Sequence, residues 1–387
     1  MRILYISNST SGGGAPTSLS NLLSSLDKKH EIAVVMPSKK GMLYDMTQKL
    51  GIKTYAEQAY CLDVWPKVIN PIKLVKRLYS LYVNQTKIRS YIGEILDDFR
   101  PDIVHTNVGP LAIAVQECTK RGIPHVWHMR EYQDKDFGMR FFPSKAAFRK
   151  MIHQDGNYNL AITQAIFRHW NLREGLDEVI YNGIRRSEEA VVPYVSDKPY
   201  FLYAARIEPS KGLMTLLKAY RLYIKNGGTS RLLVVGKPCG LYSIFCKAYV
   251  RLAGLSDSVR FAGYRPDVYS LMAGAEAFVM TSLSEGFGLT TAEAMLNGCL
   301  VIARNTAGSK EQLDRGFELT GYEIGLRFYD FVQLAAYLHD VESKRNASTF
   351  ESMKINAFRT VDELYTVEGY ASKVEEFYNK VLSFRSL

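Results

Sequence analysis

Long apolar runs are missing from this sequence. No run approaches the roughly 18 residues that a membrane-spanning helix requires, although 47% of the 387 residues are hydrophobic. The apolar stretch at residues 3–6 is followed at once by Ser7, Asn8 and Ser9, so it is too short for the core of a secretory signal peptide. We therefore expect a cytoplasmic protein whose composition suits two well-packed domains and excludes extensive disorder.

Cysteine is also scarce, and its pattern excludes two structural roles. The five cysteines are odd in number, and no two have the Cys-x-x-Cys spacing of a zinc site or a redox motif. This argues against a disulfide framework and agrees with a reducing compartment. The residues are Cys61, Cys118, Cys239, Cys246 and Cys299.

Acidic residues are outnumbered, mainly in the first half. Residues 1–190 contain 26 Lys and Arg against 19 Asp and Glu, within a chain whose formal net charge is +10. A basic half attracts nucleic acid, anionic lipid or a phosphorylated substrate. Composition alone does not choose among these partners.

The most informative stretch is residues 277–311. An apolar run at 277–280 leads into a turn-rich segment, an amphipathic helix at 289–296 and a second apolar run at 300–303. This order is typical of a parallel α/β unit, in which the helix begins beside the carboxyl end of the strand. Open α/β sheets bind their ligands at that edge.

Two carboxylates in this unit predict polyol recognition. Glu285 lies in the turn-rich segment and Glu293 in the first turns of the helix, with Gly286, Phe287 and Gly288 following Glu285. A carboxylate accepts paired hydrogen bonds from vicinal hydroxyls, and glycines let backbone N–H groups approach a ligand closely. The alternative is a helix that carries negative charge near its N-terminus for stability alone.

The segment EGFGLTTAE resembles the Glu-x7-Glu element of the family 4 retaining glycosyltransferases. Its flanks agree, with VRFAGY before it and GCLVIA and AGSKE after it; Ala307 departs from the family by replacing the first glycine of a pair. The resemblance implies that Glu285 contacts the donor sugar and Glu293 the ribose. It also implies that the amides of Gly286, Phe287, Gly288 and Leu289 contact the sugar hydroxyls.

A second motif predicts a phosphate site. Arg206 and Lys211 follow an apolar run at 200–205 and precede a helix. Arginine offers bidentate contacts and lysine a compact charge, which together suit a diphosphate. Two surface cations without a ligand are the alternative. ARIEPSKG, in which four residues separate Arg206 from Lys211, resembles the family's Gly-Arg and Lys-Gly donor-phosphate element, with Ala205 in place of glycine. Gly236, Tyr264 and Arg265 are further predicted donor contacts near the next strand ends.

The first half offers acceptor-side candidates. Gly12, Gly13 and Gly14 precede a helix opened by Pro16, which is a general anion-binding arrangement. A dinucleotide fold is less consistent, because Thr17 replaces its third glycine. The resemblance implies that Gly13 contacts acceptor and donor, that Gly14 contacts the donor, and that His128 lies beside the transferred sugar as a catalytic residue. Arg130 and Glu131 are predicted acceptor contacts. A lone histidine is otherwise usually structural.

Two features of the first half have competing interpretations. Asp134 and Asp136 form an Asp-x-Asp sequence, which we interpret as a solvated loop and not as a metal site. Residues 65–92 read as one basic amphipathic helix, and residues 140–150 add a basic aromatic patch. These stretches predict either contact with an anionic membrane or ordinary core packing. The predicted apolar stripe consists of Leu74, Leu78, Leu81, Ile88 and Ile92.

The predicted fold class is α/β. The resemblance implies GT-B, that is, two facing Rossmann-like doubly wound domains with a C-terminal helix that crosses back to the first. We expect an acceptor-binding domain at 1–184, a linker at 185–199, a nucleotide-sugar-binding domain at 200–365 and the crossing helix at 366–387. Predicted strands occupy residues 2–7, 31–36, 102–106, 124–128, 157–162 and 178–181 in the first half, and 200–205, 231–235, 259–263, 277–280 and 300–303 in the second.

The resemblance implies a glycosyltransferase that retains the anomeric configuration and uses a nucleotide diphosphate sugar, with UDP expected. We predict metal-independent transfer from this donor to a glycan or lipid-linked acceptor in capsule or exopolysaccharide assembly. No cofactor and no nucleic-acid partner are expected, and contact with the inner face of the cell membrane stays open. Alternatives are a sugar-nucleotide epimerase, a phosphorylase, or a two-lobed sugar-binding protein without activity.

Overall fold

A computed structural model describes residues 1–67, 70–184, 191–345 and 347–384. The chain divides into two compact units, one formed by residues 1–183 with 366–387 and the other by residues 184–365. Residues 185–190 of the predicted linker lie outside the described residues.

The first unit contains a seven-stranded parallel sheet in the order β3-β2-β1-β5-β6-β8-β9. Its central strands are almost completely buried, which explains their continuous runs of Val, Ile and Leu. A separate antiparallel pair joins β4 to β7. The strands are β1 (Arg2–Ile6), β2 (Glu31–Val35), β3 (Lys53–Tyr55), β4 (Val64–Pro66), β5 (Ile103–Thr106), β6 (His125–Met129), β7 (Met139–Phe141), β8 (Asn157–Ala161) and β9 (Glu178–Val179).

Helices cover both faces of this sheet, as the doubly wound prediction requires. One apolar cluster joins β1 and β2 to the first helix, and another joins the opposite face of the same strands to the fourth and fifth helices. A π-helical segment, Asn84–Ile88, lies between the third and fourth helices. The helices are α1 (Gly14–Leu26), α2 (Met42–Lys49), α3 (Pro71–Val83), α4 (Arg89–Phe99), α5 (Val115–Arg121), α6 (Lys145–Ile152) and α7 (Gln164–Trp170).

The second unit repeats this plan with a six-stranded parallel sheet in the order β12-β11-β10-β13-β14-β15. A short 3₁₀ turn, Pro209–Lys211, precedes its first helix. The strands are β10 (Tyr200–Ala204), β11 (Arg231–Val235), β12 (Val259–Gly263), β13 (Ala277–Met280), β14 (Val301–Arg304) and β15 (Leu326–Phe328). The helices are α8 (Leu213–Lys225), α9 (Gly240–Leu252), α10 (Val268–Gly274), α11 (Leu289–Leu296), α12 (Ala307–Thr320), α13 (Phe331–Ser343) and α14 (Ser348–Leu364).

The last helix, α15 (Val367–Ser383), belongs to the first unit. Its Tyr378 hydroxyl lies 3.0 Å from the Tyr5 hydroxyl and 2.6 Å from His105 Nδ1. Val374, Phe377 and Val381 complete the apolar cluster over β1 and β2. The predicted return of the C-terminal helix to the first domain is therefore confirmed.

The interpretation of residues 65–92 as one helix is wrong. Trp65 lies in β4, and the helical part begins only at Pro71. Leu81, Ile88 and Ile92 are buried as predicted, but Leu78 is exposed, because the outer face of α3 has no covering element among the described residues. The helical periodicity is confirmed, but it extends over two helices, of which α3 is mostly exposed and α4 is mostly buried on one face.

Among the described residues, no helix combines the length and the apolar character that crossing a membrane requires.

The buried carboxyl group of Asp63 predicts a pH-dependent stability. Asp63 Oδ2 accepts a hydrogen bond from Ala112 N at 2.7 Å, yet burial raises the pKa of Asp63 from 3.8 to about 6. Because the folded pKa exceeds the unfolded one, this group's favourable contribution to stability is present below pH 4 and is lost as the pH rises through 6. Asp63→Asn should therefore stabilise the protein at pH 8 by about 1–3 kcal/mol, and little at pH 4.

Chemical denaturation of both proteins at the two pH values measures this difference. A stability difference that is the same at pH 4 and pH 8 would contradict the assignment of a raised pKa.

Candidate active site

Two loops meet at the carboxyl edge of the second sheet. β10 and β13 are parallel neighbours, so the loops that follow them leave the sheet at the same edge. Thr281 Oγ1 donates a hydrogen bond to Lys211 O at 2.9 Å, and Leu283 N donates one to Ser210 O at 2.8 Å. These two bonds join the Arg206–Lys211 loop to the loop that carries Glu285.

The structure brings Lys211 and Glu285 into direct contact. Lys211 Nζ donates a hydrogen bond to Glu285 Oε2 at 2.8 Å, and the two side chains are 19% and 17% exposed. An ion pair at this depth is screened less than one on the open surface, and its atoms stay accessible to a ligand. Because Lys211 and Glu285 lie 74 residues apart in the sequence, neither motif by itself indicated that the two side chains are in contact.

Arg206 lies on the same loop and is more accessible. Its guanidinium group is 3.2 Å from Glu208, and its side chain is about half exposed. The Tyr203 hydroxyl, buried beneath the loop, lies 3.3 Å from Arg206 O and 3.5 Å from Lys211 O. One hydroxyl group therefore holds the backbone at both predicted phosphate ligands.

The glycine-rich loop before α11 is held from behind. Gln312 Nε2 donates to Phe287 O at 2.7 Å and to Gly288 O at 3.2 Å. Gly308 N donates to Glu285 O at 3.0 Å. These bonds attach the carbonyl groups of the loop to α12. The loop ends at Gly288, whose φ of +90° suits glycine, and α11 begins at the next residue. Helix N-termini present N–H groups and a partial positive charge to ligands.

Ala307 has a strained backbone at a position where the family pattern has glycine. Its φ is +47°, in the left-handed region that residues with a Cβ rarely adopt. The next residue, Gly308, packs so closely that an added Cβ would lie 2.6 Å from Phe287 O. The chain keeps the glycine that packing requires and tolerates backbone strain at the position before it.

Glu293 lies in a different environment from Glu285. It is on α11, where the Tyr269 hydroxyl donates a hydrogen bond to Glu293 Oε1 at 3.3 Å. Burial raises the pKa of Glu293, and the hydrogen bond from Tyr269 offsets part of the rise. The two glutamates therefore offer one accessible carboxylate in an ion pair and one shielded carboxylate beside a tyrosine.

Three further predicted donor residues lie near the ends of β11 and β12. Gly236 N donates to Gly263 O at 2.8 Å, and a Cβ at Gly236 would lie 1.8 Å from Ala205 O. Glycine is thus required where these loops cross. Tyr264 is exposed, with Lys237 Nζ 5.3 Å from its ring centre, and Arg265 pairs with Asp267. Tyr264 offers an open aromatic face, whereas the Arg265 guanidinium group is already held by Asp267.

In the first unit, His128 is completely buried at the end of β6. Its Nδ1 lies 3.2 Å from Arg130 Nη2 and 3.2 Å from His105 Nε2. Because Arg130 can only donate, His128 Nδ1 accepts and the proton of the neutral ring lies on Nε2. Burial and the charge of Arg130 lower the pKa of His128 well below its usual range. His128 Nε2 has no partner within the described part of the chain.

Arg130 is not placed as an acceptor ligand would be. It is buried, and it donates to Asn107 Oδ1 at 2.9 Å, Ser18 Oγ at 2.8 Å, Asn182 Oδ1 at 2.6 Å and Tyr370 Oη at 2.9 Å. These bonds tie α1, β6 and α15 together. Arg130 would have to give up bonds inside the unit in order to contact an acceptor, so we exclude it from the acceptor contacts proposed below.

The other acceptor-side residues are more open. Gly13 directly precedes α1, Gly14 is its first residue, and a Cβ at Gly13 would meet only Pro16 Cδ, at 3.9 Å. Glu131 Oε2 accepts a hydrogen bond from Gln133 Nε2 at 2.6 Å. Gln133 is buried, and its φ of +65° lies in the left-handed region, where a residue with a side chain has a strained backbone. No sequence motif indicated the contact between Gln133 and Glu131, because it depends on this backbone conformation.

The Asp-x-Asp sequence forms ordinary loop contacts. Asp134 Oδ2 accepts a hydrogen bond from Lys145 at 2.6 Å, and Asp136 Oδ2 accepts one from Tyr132 N at 2.8 Å. Across the described ranges, no group of three or more His, Cys, Asp or Glu residues could hold a metal ion.

The strain at Ala307 gives a stability prediction with a matched control. Ala307→Gly should stabilise the protein by about 0.5–1 kcal/mol, because glycine adopts φ of +47° without a Cβ clash. Ala205 also replaces a family glycine but is not among the described residues with positive φ, so Ala205→Gly should destabilise. Thermal unfolding of both variants measures the difference; a loss of stability in both would contradict strain at Ala307.

Family models of glycosyltransferases match both halves of the chain. A family model described as Glycosyltransferase Family 4 matches residues 12–188, and one described as Glycosyl transferases group 1 matches residues 185–357.

Two curated relatives show more limited matches. The poly(glycerol-phosphate) alpha-glucosyltransferase of Bacillus subtilis (strain 168) is 23% identical over 259 residues, which cover 65% of this chain and 37% of the relative. The O-antigen chain mannosyltransferase B of Escherichia coli is 32% identical over 114 residues, which cover 29% of this chain and 30% of the relative. The matches thus span about a third of these relatives.

A solved structure shares the fold. The crystal structure of Anabaena Alr3699/HepE in complex with UDP and glucose has a TM-score of 0.75 to this chain at 18% identity, with 100% of both chains covered. The two family models together span most of the sequence. The chain therefore has the fold of the GT-B glycosyltransferases, and its first half matches Glycosyltransferase Family 4 while its second half matches Glycosyl transferases group 1.

Proposed function

We propose that this protein transfers a sugar, with retention of anomeric configuration, from a nucleotide diphosphate donor to a glycan or lipid-linked acceptor in cell-surface polysaccharide assembly. The observation that carries the proposal is the contact between Lys211 and Glu285 at the carboxyl edge of the second sheet, beside the N-terminus of α11. The Lys211 ammonium group suits a diphosphate, and the Glu285 carboxylate suits sugar hydroxyls.

Donor binding then exchanges partners within a charged pair that already exists. The diphosphate takes the Lys211 ammonium group and the accessible Arg206 guanidinium group, while Glu285 turns its carboxylate to the hydroxyls of the sugar. Each charge keeps a partner throughout, so neither is left unpaired in a partly buried site.

The chemical step needs charge stabilisation more than a nucleophile. The bond from the anomeric carbon to the diphosphate oxygen breaks, and the acceptor oxygen forms a bond to that carbon on the same face. The leaving phosphate oxygen takes the acceptor's proton, and the negative charge that develops on the diphosphate lies at Arg206 and Lys211. Fixed charge placed where charge develops is usually the largest catalytic contribution.

Other residues take supporting roles in this proposal. His128 is neutral, and its Nε2–H group is the donor that would face the transferred sugar. Glu293 accepts the ribose hydroxyls, and Tyr264 offers its exposed ring to the base, near Gly236. The amides of Gly286, Phe287, Gly288 and Leu289 contact the sugar. Gly13, Gly14 and Glu131 remain acceptor-side and phosphate-side candidates.

The relatives support the substrate classes. The name of the Bacillus subtilis relative gives it a glucosyl group and a poly(glycerol-phosphate), and that of the Escherichia coli relative gives it an O-antigen chain. The Anabaena structure contains UDP and glucose. We propose a UDP-linked hexose donor and a surface glycan acceptor on this basis.

A membrane contact through α3 fits such an acceptor. Ile72, Val75, Tyr79 and Tyr82 are 64–69% exposed, and their spacing places them on one side of α3. No acidic residue occurs between Asp63 and Glu94. The β4–β7 pair also brings the second predicted patch close, since Trp65 and Phe142 have ring centres 6.0 Å apart. An apolar face with flanking cations suits an anionic bilayer surface.

Removing either member of the central pair should abolish transfer. Lys211→Ala and Glu285→Ala should each lower kcat/KM by at least about 100-fold, because each removes a charge that acts on the reacting group. The control is Lys310→Ala, which breaks the Lys310–Asp314 pair on α12 and should leave turnover nearly normal. A panel of nucleotide sugars, assayed for hydrolysis and for transfer, identifies the donor.

Near-normal turnover in both Lys211→Ala and Glu285→Ala would refute the site. Release of sugar 1-phosphate from a glycan in the presence of inorganic phosphate would favour a phosphorylase instead, and interconversion of donor epimers would favour an epimerase.

The α3 surface predicts salt-dependent membrane binding. Cosedimentation with phosphatidylglycerol vesicles should fall steeply as salt rises from about 0.1 M, where the screening length is about 10 Å. The double variant Val75→Ser and Tyr79→Ser should bind less, whereas Ile355→Ser, an equally exposed apolar position on α14, should bind normally. Unchanged binding by the double variant would remove α3 from the membrane contact.

A further inference from the structure

Helix α9 in the second unit carries an apolar stripe on its outer side. Leu241, Ile244, Phe245 and Leu252 are 70%, 61%, 65% and 89% exposed. With 3.6 residues per turn these positions, together with Ala248, fall within one narrow sector of the helix. Single exposed apolar residues are common on protein surfaces, but an aligned stripe along a whole helix marks an interaction site.

The stripe is additional to the face with which α9 packs against its own unit. Cys246 and Val250 are buried in the apolar cluster of the second sheet, and they lie on the opposite side of the helix from Ile244 and Phe245. Tyr242 anchors the helix, because Met214 N of α8 donates a hydrogen bond to its hydroxyl at 3.0 Å. Helix α9 is therefore fixed to the domain and needs no rearrangement to present its second apolar face.

The surroundings of the stripe are basic. No Asp or Glu occurs between Glu208 and Asp257, a segment that includes all of α8 and α9. Lys247 and Arg251 lie along one flank of the stripe. None of the exposed cations in this segment forms an ion pair with another residue of the described ranges. They are Lys218, Arg221, Lys225, Lys237, Lys247 and Arg251.

We propose that α9 docks on an anionic phospholipid surface, with its stripe inserted among the acyl chains near the headgroups and its cations on the lipid phosphates. An interfacial helix combines a narrow apolar face with Lys and Arg on its polar side, as here. The cores of protein–protein interfaces are instead depleted of lysine, and a second copy of this helix would bring like charges together. None of the stripe residues belongs to α3 or to the candidate site.

Vesicle flotation tests the proposal on the full-length protein. The triple variant Ile244→Ser, Phe245→Ser and Leu252→Ser should lower partitioning into phosphatidylglycerol vesicles at least about tenfold, because three apolar side chains no longer leave water. Lys247→Gln with Arg251→Gln should weaken binding and flatten its dependence on salt. Ile355→Ser is the matched control and should bind as the wild type does. Donor hydrolysis should be retained in all variants.

A second measurement isolates α9 from α3 and does not depend on the triple variant folding. Relative to the wild type, whose signal comes from the three native tryptophans, Phe245→Trp should add fluorescence that brominated phosphatidylglycerol quenches, whereas the fluorescence that Ile355→Trp adds should not be quenched.

Three outcomes would overturn the proposal. They are unchanged flotation of the triple variant, equal binding to phosphatidylcholine vesicles, and absence of quenching at position 245. Sedimentation showing that the triple variant loses self-association, with flotation unaffected, would assign the stripe to a second copy instead.

Discussion

The contact between Lys211 and Glu285 is the interaction on which the candidate site depends. It joins loops that follow two adjacent parallel strands, and the bonds from Thr281 and Leu283 hold those loops in register. Behind it, α12 holds the glycine-rich loop through Gln312 and Gly308. An accessible cation and an accessible anion are thereby held side by side, which suits a ligand that contains both a diphosphate and hydroxyl groups.

Much of this arrangement could be predicted from the sequence, because it rests on local patterns. Buried parallel strands appear as short apolar runs, and strands such as Arg231–Val235, Val259–Gly263 and Ala277–Met280 have the predicted bounds. The Glu-x7-Glu and Arg-x4-Lys spacings placed the charged residues on loops at the correct sheet edge. The two loops then come together because they follow neighbouring parallel strands, whose carboxyl ends lie at the same edge of the sheet.

What the sequence did not reveal depends on contacts between distant residues. Periodicity in residues 65–92 could not show that, in the described part of the chain, no element covers the outer face of α3 whereas the next helix is buried. Proximity to His128 suggested an acceptor contact for Arg130, but bonds to Ser18, Asn182 and Tyr370 bury it. The sequence also did not distinguish the outer stripe of α9 from the packed face of this helix. A helix with apolar residues on both faces has the pattern of a fully buried helix.

Calorimetric titration with UDP and with the matching UDP-sugar tests the division of labour between Lys211 and Glu285 most directly. Lys211→Ala should weaken binding of both ligands, because both contain the diphosphate. Glu285→Ala should weaken binding of the UDP-sugar alone and leave UDP unchanged or slightly tighter, since Lys211 is then free of its competing partner. Equal losses for both ligands in both variants, or no loss in either, would contradict the proposed site.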